Sequence, residues 1–191
     1  MRLTTTQIEA QLDWINKSPS DVGRVDGLCI RPQMNARQEL PSCHFSPEEG
    51  VAGDFWSWQC WKRLEDGSSD PAVQLAIMNS RAIDVIAGSR DRWKLAGDQL
   101  FVDFDLSLQN LSTGDQLQIG AAVVELTDIA HTGCDLFEER FGRDAVKYYN
   151  SKAGKGLRLR GVYARITQAG EVKVGDRISK VQAGAASAAA G

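Results

Sequence analysis

The stretch DQLQIGAAVVELTDI, Asp115 to Ile129, decides how this chain is read. Apolar and polar residues alternate on both sides of Gly120, which is the pattern of two strands that each bury one face. Gly120 marks the bend between them. The same alternation recurs on either side. LFVDFDLSL (Leu100 to Leu108) alternates apolar and acidic residues, and LRGVYARITQ (Leu159 to Gln168) and EVKVGDRISKV (Glu171 to Val181) continue the pattern. Turn signals separate these runs at Thr113-Gly114-Asp115, Ala169-Gly170-Glu171 and Gly175-Asp176. Many short strands at close spacing, with few long helices, predict a mainly β fold closed into a barrel.

The first half is less regular. Thr4 to Lys17 places Ile8, Leu12 and Ile15 at helical spacing, with threonines to cap and Pro19 to stop, so one short leading helix is expected. GRVDGLCIRP (Gly23 to Pro32) predicts a strand, and QMNARQEL before Pro41 its hairpin partner. Ser42 to Asp70 carries Pro47, the glycines of EEGVAGDFW and Trp56, Trp58 and Trp61. A long irregular stretch of this kind is functional or poorly ordered, and the tryptophans argue for order. AVQLAIM (Ala72 to Met78) predicts a strand, and SRAIDVIAGS a short helix with Ser80 at its cap and Gly88 beyond its end. The expected organisation is a helical segment over 1–22, a barrel domain over 23–182 and a flexible tail of small residues over 183–191.

Length and composition narrow the function. With 191 residues, 42% hydrophobic and 25% charged, the chain can bury one ordinary core without staples. A net charge of −3 argues against nucleic acid and acidic membranes as partners, so any anion site must come from local asymmetry. The N-terminus lacks an apolar secretory core and no run approaches the ~18–20 apolar residues of a membrane span. A cytoplasmic location is therefore expected, where thiols stay reduced. Cys29, Cys43, Cys60 and Cys134 form no CxxC pair.

One of these cysteines stands out. In HTGCDLFEERFGRDAVKYYN, Cys134 directly precedes a predicted amphipathic helix. Unpaired N–H groups at a helix start favour an anion, and a thiol there is activated. His131 could add positive charge when protonated, while Asp135, Glu138 and Glu139 oppose it. Two other readings stay open. Most free cysteines simply fill gaps. Cys43-His44 with His131-x-x-Cys134 offers zinc-type donors, without standard ligand spacing.

Charge supplies a second feature. KYYNSKAGKGLRLRGVYAR, Lys147 to Arg165, contains no acidic residue and holds Lys147, Lys152, Lys155, Arg158, Arg160 and Arg165. AGKG could wrap a phosphate with backbone N–H groups, and arginines can grip it bidentately. As a strand, the segment would put Arg158 and Arg160 on one face. A solvated face is the alternative. Asp103 and Asp105 would also share a face and could do acid–base work, though acids on a barrel exterior are common. The tryptophans could stack on a planar heterocycle or seal the barrel end. No GxxxxGK[ST], GxSxG, HExxH or GxGxxG motif occurs.

The ordered set GVAGDFW, VQL, LQNL, GDQLQIGAAVVELT, HTGCDLFEERFG and LRGVYARITQAGEVKVGD resembles the MOSC domain family, named for the C-terminal domain of molybdenum-cofactor sulfurases. The resemblance spans roughly Arg24 to Val181. It implies a β-barrel like the barrel domain of pyruvate kinase. It also implies that Cys134 matches the family's cysteine, which carries sulfur as a persulfide or ligates molybdenum of a bound molybdopterin. A phosphate-bearing pterin would give Lys155, Arg158, Arg160 and Arg165 a purpose, with Asn110 retained from the family's Gly-Glu-Asn-Leu motif. Leu108 and Gln109 depart from that motif, and GVAGDFW lacks the Arg-His that often follows its aspartate. These departures weaken the implied reduction of N-hydroxylated compounds and leave the thiol in place. The family often accompanies a pyridoxal-phosphate desulfurase domain. This chain has no room for one, so a separate cysteine desulfurase is the expected sulfur donor. A non-catalytic binding module is the remaining alternative.

Overall fold

The computed structural model describes residues 2–181; the expected tail over 183–191 lies outside them. In chain order the strands are β1 (Val22–Ile30), β2 (Gln38–Leu40), β3 (Ser42–Ser46), β4 (Gly50–Val51), β5 (Leu75–Asn79), β6 (Leu100–Asp103), β7 (Gln116–Ile119), β8 (Ala122–Leu126), β9 (Val162–Gln168), β10 (Gly170–Lys173) and β11 (Arg177–Lys180). The helices are α1 (Thr5–Glu9), α2 (Leu12–Ile15), α3 (Trp56–Gln59), α4 (Ser80–Ala87), α5 (Asp135–Phe141), α6 (Arg143–Tyr149) and α7 (Lys152–Gly156). Around the barrel the order is β1, β11, β7, β8, β9, β5 and β6, and β6 pairs again with β1. Closure leaves these seven strands without a free edge. β2 extends the end of β1, and β10, β3 and β4 form a small second sheet.

Alternation explains both sides of the wall. On β9, Val162, Ala164 and Ile166 point into the barrel core with Val25, Leu117 and Ile178. Tyr163 and Arg165 therefore point outward. β5 is buried along its whole length, because helices cover its outer face. Leu75 and Ile77 enter the barrel, while Met78 joins a second apolar layer with Ile83, Phe137 and Tyr149 under α1, α4, α5 and α6. This is why AVQLAIM lacks polar alternation. β5 and β6 are the parallel pair of the barrel, and α4 is part of the crossover between them.

Several local expectations change. The leading helix breaks at Ala10–Gln11 into α1 and α2; Thr4 caps α1 with a full capping box to Gln7. Asn79, not Ser80, caps α4, its side chain accepting from the Ala82 N–H. The helix after Cys134 divides at Gly142, whose φ of +96° interrupts it. AGKG lies within a helical turn capped by Ser151 rather than in an open phosphate loop. The strand expected from Leu157 starts only at Val162, so Arg158 and Arg160 precede it.

Gly161 makes that late start possible. Its φ is +99°, and a Cβ there would stand 2.2 Å from the Ile77 carbonyl oxygen. Gly161→Ala is expected to cost roughly 2–3 kcal/mol, combining backbone strain with a displaced β5. A urea titration unchanged from wild type would rule this out.

Candidate functional site

A cavity of about 270 Å³ opens where the chain leaves β8 and re-enters β9. The segment Thr127 to Thr132 forms one wall; Lys155 and Arg158, with Arg160 and Gly161, form another. Arg158 adopts a left-handed backbone, φ 47°. Its Nη1 donates to the carbonyls of Leu106 (3.2 Å) and Leu111 (3.0 Å), which are neutral acceptors. Lys155 is exposed in the last turn of α7. Neither forms an ion pair among the described residues, and the carboxylate that lines the same cavity is Asp128, on the facing segment.

Arg160 differs. It is buried, its Nη1 donates to both Asp98 oxygens (3.0 and 2.7 Å), and its Nη2 donates to the Ala96 carbonyl at 3.0 Å. The guanidinium also lies 4.6 Å from the Phe137 ring centre. Its Nε has no partner among the described residues. Asp98 is fully buried; burial pushes its carboxyl up, and Arg160 opposes that rise. His131 stacks on Tyr163, ring centres 4.2 Å apart. Its Nδ1 is 3.6 Å from Asp98 Oδ1, beyond hydrogen-bond reach, and has no partner among the described residues. Burial, then the charges of Arg160 and Arg31, hold the imidazole well below its ordinary range. The protonated His131 expected beside the thiol thus gives way to a neutral ring, because desolvation disfavours its charged form.

Cys134 is exposed and caps α5 in an extended conformation, its carbonyl accepting from the Glu138 N–H at 2.9 Å. Cys29, Cys43 and Cys60 are buried. Burial pushes the Cys29 thiol up to about 11 and raises that of Cys43. Cys43 and His44 take opposite sides of β3, one buried and one exposed, which removes the zinc-type set considered from sequence. Thr132 lines the cavity and Cys134 follows two residues later, at the edge of the same segment. Asn150 clamps the residue between them. The Gly133 N–H donates to its Oδ1 (2.9 Å) and its Nδ2 donates to the Gly133 carbonyl (3.0 Å). Asn150→Ala removes both bonds and is expected to cost about 1–3 kcal/mol, with faster amide exchange at Gly133. Unchanged exchange there would show that the clamp is idle.

Other residues singled out from sequence stand elsewhere. Arg165 pairs with Glu125 (2.6 Å) on the outer barrel wall and does not line the cavity. Asn110 bridges loops, donating to the Ser20 (3.1 Å) and Asp105 (2.7 Å) carbonyls and accepting from Lys180 (2.6 Å). Asp103 pairs with Arg81, while Asp105 accepts from the Ser107 N–H. Trp56 is buried, whereas Trp58 and Trp61 are exposed, Trp61 lying 6.3 Å from Tyr163. Asp98 and Asn150 carry the geometry of the site without any sequence motif, and Tyr163 falls within LRGVYARITQAGEVKVGD without being singled out there. Asp98 follows a glycine turn and reads as one more surface acid.

The family model described as the MOSC domain matches residues 74–179. Among solved structures, the YuaD protein from Bacillus subtilis is similar with a TM-score of 0.60 at 16% identity, covering 84% of this chain and 97% of that one. YiiM from Escherichia coli gives 0.54 at 15% identity over 84% of this chain and 70% of its own. YiiM from Geobacillus stearothermophilus gives 0.53 at 14% over 85% and 75%. These likenesses are of fold. None of the curated proteins compared matches the chain.

Proposed function

The chain belongs to the MOSC domain family, and from that premise we propose that it carries sulfane sulfur on Cys134 and holds a phosphate-bearing pterin cofactor in the adjoining cavity. The observation that carries this reading is that the one exposed thiol lies two residues from Thr132, on one wall of a cavity whose other wall bears Lys155 and Arg158.

The transfer is balanced without any outside oxidant. The Cys134 thiolate attacks the terminal sulfur of a persulfide on a cysteine desulfurase. A new S–S bond forms on Cys134, the donor's S–S bond breaks, and the donor cysteine leaves as a thiolate. A later nucleophile takes the terminal sulfur by the same exchange and regenerates the Cys134 thiolate. Exposure of Cys134 lets a protein donor reach it. The cationic wall favours the anionic persulfide while it waits.

The residues also suit the molybdenum cofactor. Lys155 and Arg158 would hold its phosphate, and His131 and Arg160 of the lining each hold a buried polar atom, Nδ1 and Nε, that lacks a partner among the described residues. Cys134 would be the protein's thiolate ligand. Bound there, the cofactor supplies two-electron redox chemistry. This second reading makes the chain a reductase of N-hydroxylated compounds. Elemental analysis of protein made in a cofactor-competent host separates the two, since stoichiometric molybdenum supports the reductase. Alkylation of the native protein, read by peptide mass spectrometry, tests what they share. Label is expected at Cys134 first, and a resistant Cys134 would end both.

A further inference from the structure

A second cavity, of about 530 Å³, lies between the C-terminal ends of α4 and α5 and shares no lining residue with the cavity beside Cys134. Arg2, Arg92 and Arg140 line it, with Glu139 as the acid of its wall. Arg2 Nη2 donates to the Glu139 carbonyl at 2.6 Å. Arg92 donates through Nε to the Ala87 carbonyl (3.0 Å) and through Nη2 to that of Arg140 (2.8 Å). Arg140 Nη1 donates to the Leu95 carbonyl at 2.7 Å. Every one of these acceptors is neutral. None of the three guanidiniums forms an ion pair among the described residues. The two helix ends contribute roughly half a negative charge each. With Glu139 they leave the cavity positive, in a chain whose net charge is −3. Arg37, close to Gly97 on the same turn as Leu95, feels the excess. Burial first, then the charges of Arg140 and Arg31, hold its pKa down.

We propose that this cavity binds a small molecule bearing a phosphoryl group. A guanidinium has five N–H donors, so each of these arginines keeps donors free after its carbonyl bonds. Their planar forks match phosphate oxygens bidentately. Ile86, Leu95 and Phe141 give the rest of the ligand an apolar wall, and the volume suits a small molecule. The site is independent of the role given to Cys134.

Calorimetric titration of the intact protein with inorganic pyrophosphate at low ionic strength tests it. Wild type is expected to bind. Arg140→Gln weakens binding about tenfold or more, whereas Glu139→Gln tightens it severalfold by removing an exposed opposing charge. A tightening cannot arise from misfolding, so this variant decides the matter if Arg140→Gln proves unstable. Arg158→Gln, in the other cavity, leaves the affinity unchanged. Absence of heat with wild type overturns the site. So does an affinity that ignores Glu139→Gln, or one that follows Arg158 instead of Arg140.

Discussion

Cys134→Ala protein, incubated with a cysteine desulfurase and cysteine, is expected to release no sulfane sulfur on cyanolysis, against stoichiometric release from wild type. The expectation rests on access and on ionisation. Persulfide transfer needs a thiolate that a second protein can touch. Of the four cysteines, Cys134 is exposed and the other three are buried. Burial pushes Cys29 up to about 11. At neutral pH that leaves roughly one molecule in ten thousand as thiolate, too few to compete even if a donor reached it. Cys29→Ala, Cys43→Ala and Cys60→Ala proteins should therefore carry as much sulfur as wild type. Equal sulfur on wild type and Cys134→Ala would remove the carrier role. Loss in a Cys29 variant with Cys134 intact would move that role to another residue.

Asp98→Ala is expected to cost about 3–5 kcal/mol of stability, because it strands the buried Arg160 guanidinium without a counter-ion. Replacing both partners together, as Asp98→Leu with Arg160→Met, should recover most of that loss, since the desolvation of both charges is then avoided. Urea midpoints measure both. Deleting Glu125 from its pair with the exposed Arg165 is the control, and should cost no more than about 1 kcal/mol. If Asp98→Ala costs as little as that control, the pair is not electrostatically buried.

The same cluster predicts a pH dependence. The folded imidazole of His131 lies well below its ordinary value of 6.5, so the unfolded chain takes the proton first as pH falls. Its contribution to stability is therefore fully present above 6.5 and is lost below it, at up to about 1.4 kcal/mol per pH unit. Asp98 acts in the opposite sense. Its carboxyl is raised above 3.8, so its contribution falls as pH rises from there. His131→Phe keeps a ring to stack on Tyr163 and removes the imidazole. Between pH 7 and 5, wild type should lose up to about 2 kcal/mol relative to this variant. Parallel curves for the two proteins would show that the folded ring titrates normally.

The candidate site was legible in part. Cys134 stood out because its neighbours are close in sequence: the helix that it caps begins at the next residue. The arginines were harder to sort. As a strand, the segment from Leu157 would turn Arg158 and Arg160 to a common face. In the fold a left-handed turn at Arg158 and another at Gly161 interrupt that alternation. Arg158 reaches the carbonyls of Leu106 and Leu111, while Arg160 is drawn onto Asp98. Arg165 does lie on the strand, and outward alternation carries it to Glu125 and away from the cavity. Asn110 keeps the family motif yet serves a loop contact with Lys180.

Strand alternation, turn glycines and the placement of a cysteine before a helix are properties of a few adjacent residues, and can be read along the chain. The charge state of His131 is of another kind. It depends on burial first and then on the charges of Arg160 and Arg31, brought around one ring from distant parts of the chain. Closure of the barrel between β1 and β11 likewise joins residues near the two ends of the described chain. Desolvation and ion pairing are set by what surrounds a group in space, so which acids and bases keep their charge follows from the folded arrangement and not from neighbours in the chain.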